Sequence, residues 1–158
     1  MSYMKLIKLL YLVDRRSLVE RGVPVTYDRY VSMQHGPVLS ETLDLINYGS
    51  GPSEESYWEA YIDQDSRYEV SLTGDCPVNE LSDADLELAR TVHAEFGMMD
   101  RWAVVDYAHR LPEWRDPGET RVLPIRYEDI LVHEKTPEES EQIVGDLRAM
   151  GAAEAIFG

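Results

Sequence analysis

The side chains that could take part in metal-assisted or acid–base chemistry include the four histidines, His35, His93, His109 and His133, and the aspartates Asp14 and Asp28 of the opening segment. No two of the histidines stand four residues apart around a glutamate, the spacing by which one helix face presents a zinc site. Asp14, Asp28 and His35, with His109 as a fourth group, would suit a small metal-dependent hydrolase. The competing reading gives each a local duty: Asp14 ends an apolar helix and caps or pairs nearby, Asp28 holds a turn, and His35 packs beside it. Nucleophilic chemistry has less to work with. Cys76 follows an acidic residue in a Gly-Asp-Cys-Pro turn, a poor setting for a thiolate. There is no Gly-x-Ser-x-Gly elbow and no Gly-rich phosphate loop. The residues do not call for an enzyme, a cofactor or a resident metal.

Composition narrows the partners. The chain has 158 residues, 44% of them hydrophobic, which suits one domain over 1–158 with a core of its own. No repeat or linker divides it, and its weakest joint is the turn-rich stretch Gly49 to Ser56. No apolar run reaches the roughly 18 residues that cross a membrane, and Lys5 and Lys8 break any signal-peptide pattern. A single cysteine excludes an internal disulfide and suits a reducing compartment, so a cytoplasmic location is expected. Thirty acidic against fifteen basic residues give a net charge of −15. Such a chain repels nucleic acid, whose binding depends on Lys and Arg neutralising phosphate. It would steer basic partners toward itself, the competing reading being that the acidity only keeps the chain soluble.

The elements that must position these residues are mostly helical. Leu6 to Val13 is apolar except for Lys8, so a helix here belongs at the centre of the domain. It turns polar at Asp14-Arg15-Arg16 and stops near Gly22. Tyr30 to Met33 is β-prone. Gly36-Pro37 is expected to open a second helix, with Leu39, Leu43 and Ile46 as its buried stripe. Tyr57 to Ile62 and Arg67 to Leu72 alternate and predict a hairpin around Asp63 to Ser66, with Tyr68, Val70 and Leu72 on one face. Ser82 and Asp85 form a capping box for a helix to about Phe96. Further helices are expected from Asp100 to about Arg110, over Arg126 to His133, and after the Thr136–Glu139 capping box, where Ile143, Leu147 and Met150 form the apolar face. The sum is a mostly helical α+β fold, a compact domain of five or six helices with a small β-hairpin or short antiparallel sheet.

Aromatic usage points to contact surfaces. Ten tyrosines and three tryptophans accompany only two phenylalanines. Tyr and Trp combine an apolar body with a polar tip and suit protein interfaces, the competing reading placing each singly at the edge of the core. Tyr27, Tyr30, Tyr57, Trp58 and Tyr61 fall in the first half, and Trp102, Tyr107 and Trp114 in the second.

The run Lys8-Leu9-Leu10-Tyr11-Leu12-Val13-Asp14-Arg15 resembles the KLLYLAD signature of the SocA-like antitoxin family, the Panacea domain. Val23 to Met33 is similar to that family's G-x-P-I-T-x-D-x-Y-V-A-M run, and His35-Gly36-Pro37-Val38 to its HGPV turn. Ser40 and Asp44 fit the continuation, with Leu43 where the family often has Tyr. Leu81 to Asp85 with Phe96-Gly97, the run from Ala108 to Trp114, and Ile125 to Leu131 resemble later segments in the same order. Family members usually carry another helix before the KLLYL segment, a departure here.

The resemblance implies a non-enzymatic antitoxin of a bacterial or phage toxin–antitoxin system. Its partner would be a cognate toxin encoded by the adjacent gene and neutralised by direct contact. A second form of the role is a proteolytic adaptor that delivers the toxin to the ClpXP protease. Some relatives carry an extra DNA-binding domain, for which this chain has no room. The motif residues Lys8, Leu9, Leu10, Tyr11 and Asp14, then Asp28, Tyr30, Met33, His35, Gly36, Pro37 and Ser40, and finally His109, Pro112 and Trp114, are expected to be mainly structural, with an interface role as the second reading. Asp14 and Asp28 are expected to bond backbone amides around the Gly36-Pro37 turn. Partner choice falls to the acidic and aromatic surface.

Overall fold

A computed structural model describes residues 1–50 and 57–157. Of the expected weak joint, Gly49 and Ser50 are among them and 51–56 lie outside. Seven α-helices and five strands occur among the described residues, in the order α1 (Tyr3–Arg21), β1 (Tyr30–Met33), β2 (Gly36–Leu39), α2 (Ser40–Tyr48), α3 (Tyr57–Tyr61), β3 (Ile62–Ser66), β4 (Glu69–Leu72), α4 (Asp83–Phe96), α5 (Arg101–Ala108), β5 (Leu123–Ile125), α6 (Tyr127–Leu131) and α7 (Pro137–Phe157). β2, β1 and β5 form one antiparallel sheet with β1 in the middle, and β3 and β4 form a second. The mostly helical α+β expectation holds.

α1 is the central element. Ile7, Leu9, Tyr11, Leu12, Val13 and Leu18 are buried, each apolar side chain contributing about 1.5–3 kcal/mol relative to exposure. The helix ends where Gly22 turns left-handed at φ 76° and its amide returns to Leu18 O at 3.0 Å. Around α1 the main core gathers Tyr30 and Leu39 from the sheet, Leu88, Val92 and Phe96 from α4, Ala108 from α5, and Ile125, Ile130, Leu131, Val144 and Leu147 from the last third. Ile7, Val38 and Ile46 form a separate, smaller cluster.

Five local expectations are corrected. Gly36-Pro37 does not open a helix. Gly36–Leu39 pairs with β1 in the register Tyr30↔Leu39 to Met33↔Gly36, and α2 begins at Ser40. Pro37 fits because β2 is an edge strand, where a missing amide breaks no ladder. Gly36 is required by its φ of 99°. Tyr57–Tyr61 is a helical turn, not a strand; Tyr57 and Tyr61 meet as an i, i+4 pair with ring centres 5.1 Å apart. Asp63 to Ser66 belongs to β3, so the hairpin turn falls at Arg67 and Tyr68. Of the expected face only Val70 is buried, while Tyr68, in the turn, and Leu72 are exposed. On α7 Met150 is exposed and Val144 joins Leu147 inside.

The capping boxes form as read. Ser82 accepts from the Asp85 amide while Asp85 accepts from Ser82, and Thr136 and Glu139 do the same at α7. No described helix is long and apolar enough to cross a membrane.

Candidate functional site

Five polar side chains of α1 reach into the interior: Lys8, Tyr11, Asp14, Ser17 and, partly, Arg15. Buried polar groups need partners: Lys8, Tyr11 and Arg15 find them 29 to 119 positions away, Asp14 finds them at 25–30 just after α1, and the buried Ser17 hydroxyl has none among the described residues. Lys8 Nζ donates to the Pro37 carbonyl at 2.7 Å. Burial brings the Lys8 amine down to about 7. Tyr11 donates to Glu113 Oε1 at 2.8 Å, and Arg15 forks onto the same carboxylate, Nε to Oε1 at 2.7 Å and Nη2 to Oε2 at 3.2 Å. Arg15 Nη2 also reaches Glu134 at 2.7 Å. Burial pulls the Arg15 guanidinium down, and Glu113 and Glu134 more than reverse it. Burial and the Glu113 charge hold the Tyr11 phenol well above its usual range.

Asp14 lies at the end of this polar row and is fully buried. Oδ1 accepts from the amides of Val25 at 3.0 Å and Thr26 at 2.9 Å. Oδ2 accepts from the Thr26 hydroxyl and from Tyr30 OH at 3.0 Å. Burial raises the Asp14 carboxyl even against these four donors. Burial and the Asp14 charge likewise raise the Tyr30 phenol. The ring of Tyr30 stands between Tyr11 and Tyr127, edge-on at 5.3 and 5.6 Å.

Asp28 performs a different task. Its two oxygens accept from the amides of Glu41 and Thr42, each at 2.8 Å, and from the Thr42 hydroxyl at 2.7 Å. These amides open α2, whose own N-cap residue, Leu39, has no side chain able to cap. Asp28 thus caps α2 from outside, with its charge at the positive end of the helix dipole.

The β1–β2 turn is held by three elements. Lys8 takes the Pro37 carbonyl from α1, His109 Nε2 lies 3.0 Å from the Gln34 carbonyl, and Trp114 Nε1 donates to the Met33 carbonyl at 3.1 Å. His109 and Trp114 stack with ring centres 4.3 Å apart. His35, at the tip, is exposed rather than packed, with Trp102 5.9 Å away edge-on. Leu9 is buried, Leu10 partly so, Pro112 is exposed, and Ser40 donates its amide to Arg29 O at 2.8 Å.

The carboxylates of Asp14 and Asp28 are therefore surrounded by backbone amides and hydroxyls, but not those of the Gly36-Pro37 turn. Asp14, Asp28, His35 and His109 do not assemble, and among the described residues no three His, Cys, Asp or Glu side chains are grouped to hold a metal. Glu113, with Arg15, Thr26 and Thr42, carries much of this network and was not among the expected site residues. The available signal was a single charge between Pro112 and Trp114 in an otherwise motif-like run.

Motifs from positions 8 to 114 thus converge on one hairpin and one helix. A family model described as antitoxin SocA-like, Panacea domain, matches residues 6–115. The match covers more than half of the chain, and the protein belongs to the SocA-like antitoxin family. No curated protein and no solved structure matches it. The segment beyond the match supplies β5, α6 and α7, with Ile125, Ile130 and Leu131 in the main core.

Proposed function

We propose that this chain acts in the cytoplasm, as one domain, as an antitoxin that neutralises a cognate protein toxin by stoichiometric contact. Its family membership supports that role. The observation that carries the contact mechanism is the use of the motif residues: Lys8, Tyr11, Asp14 and Asp28 are buried and bonded within the fold. What remains for a partner is an acidic surface carrying exposed Tyr27, Tyr48, Tyr57 and Trp102. Aromatic side chains of this kind are frequent binding hot spots, and a net charge of −15 favours a toxin with a basic face.

The test is co-expression with the product of the adjacent gene, followed by purification of the pair. The expected result is rescued growth and a complex of fixed stoichiometry. Rescue that disappears in cells without ClpXP would replace neutralisation by delivery to the protease. Toxin modified covalently, with no complex, would point to an enzyme.

A further inference from the structure

A cleft of about 740 Å³ opens between α1, the β1–β2 turn and a single 3-10 turn at Gly118–Thr120. That volume lies in the range of small-molecule sites. Its apolar walls include Ile7, Val38 and Leu43. Its ionisable lining residues are Tyr3, Lys8, His35, Asp116 and Arg121.

Lys8 is the unusual member. It is 1% exposed, yet among the described residues of a chain with 30 acidic side chains its ammonium has a single acceptor, the neutral Pro37 carbonyl. An ammonium has three donors, and a buried cation without a counter-charge is costly. The low Lys8 proton affinity, near 7, expresses that cost. Among the described residues Asp116 is the one carboxylate of the lining, and its Oδ1 accepts from the Gly118 amide at 2.9 Å. Among the described residues the lining thus carries two basic side chains, Lys8 and Arg121, and one carboxylate.

We propose that this cleft binds a small monocarboxylic acid with an apolar body, its carboxylate seated on Lys8 and its chain along Ile7, Val38 and Leu43. The carboxylate supplies the missing counter-charge and the missing acceptor. The apolar wall selects against small inorganic anions. Because seating an anion requires the ammonium form, binding draws a proton onto Lys8 at pH above about 7.

Octanoate and octanol titrated into the full chain by calorimetry test it. Octanoate is expected to saturate one site, with octanol at least about tenfold weaker. Octanoate affinity is expected to fall about tenfold between pH 7 and 8.5 as the free amine loses its proton. Lys8→Met, which keeps the volume and removes the charge, is expected to lower octanoate affinity at least about tenfold and leave octanol unchanged. Absence of saturable octanoate binding, equal affinity for octanol, or a pH-independent affinity would each overturn the proposal. The two wild-type comparisons decide the matter whether or not Lys8→Met folds.

Discussion

The Tyr11 hydroxyl donates to Glu113 at 2.8 Å across 102 positions of the chain, and this contact ties the central helix to the segment after α5. Glu113 is 3% exposed and also receives the fork of Arg15. Removing one member of a buried charged pair leaves the other uncompensated. Glu113→Ala is therefore expected to lose about 3–5 kcal/mol of unfolding free energy. Tyr11→Phe, which removes one hydrogen bond and keeps the ring, should lose about 1–2 kcal/mol. Urea unfolding of both variants and of the double variant measures the coupling. Independent, additive losses would contradict the shared carboxylate.

Asp28 supplies a cap that α2 lacks in its own sequence. Asp28→Ala should destabilise the chain by about 1–3 kcal/mol and loosen α2 first. Hydrogen exchange at Glu41 and Thr42 checks it: both amides should exchange much faster in the variant than in the wild type. Unchanged protection would show that the cap is dispensable.

Lys8 gives stability a pH dependence of known sign. Its folded value, about 7, lies below the ordinary 10.5, so between those values the unfolded chain binds the extra proton. Stability from this group therefore rises with pH across that window, at up to about 1.4 kcal/mol per unit. Below pH 7 the full burial penalty applies. Lys8→Met should accordingly be more stable than the wild type at pH 6, and its advantage should shrink steadily toward pH 10. Comparing the two proteins cancels the opposing effect of Tyr11 and Tyr30, whose raised phenols favour unfolding in strong alkali. Parallel stability curves would contradict the assignment.

Tyr27 separates scaffold from surface. It is 53% exposed and holds a φ of 55°, which side-chain-bearing residues rarely adopt. Strain of this kind concentrates at functional positions. Tyr27→Gly should leave stability unchanged or raise it by up to about 1 kcal/mol, because glycine accepts this conformation. Toxin affinity should fall at least about tenfold if Tyr27 belongs to the contact surface. Full affinity in the variant would remove Tyr27 from that surface.

Much of this architecture is legible in sequence where the rule is local. The capping boxes at Ser82–Asp85 and Thr136–Glu139 rest on three-residue spacings and form as read. The apolar run of α1 and the stop at Gly22 follow from composition and one left-handed residue. Pro37 misled because a proline suits both a helix start and an edge strand, and only pairing with β1 decides between them. Tyr57 to Ile62 misled because its alternating polarity carries no information about the Tyr57–Tyr61 ring contact. The partners of the buried polar row were hidden for a different reason. Glu113 acquires its role from side chains 98 and 102 positions away, a distance at which no spacing rule operates.

The most direct measurement of the central claim is the association of this chain with the purified toxin, followed at increasing salt alongside growth rescue in cells lacking ClpXP. The account predicts a stoichiometric complex, association about tenfold slower at high salt as the field of −15 charges is screened, and rescue independent of the protease. No complex between the two proteins, or rescue that vanishes without ClpXP, would contradict it.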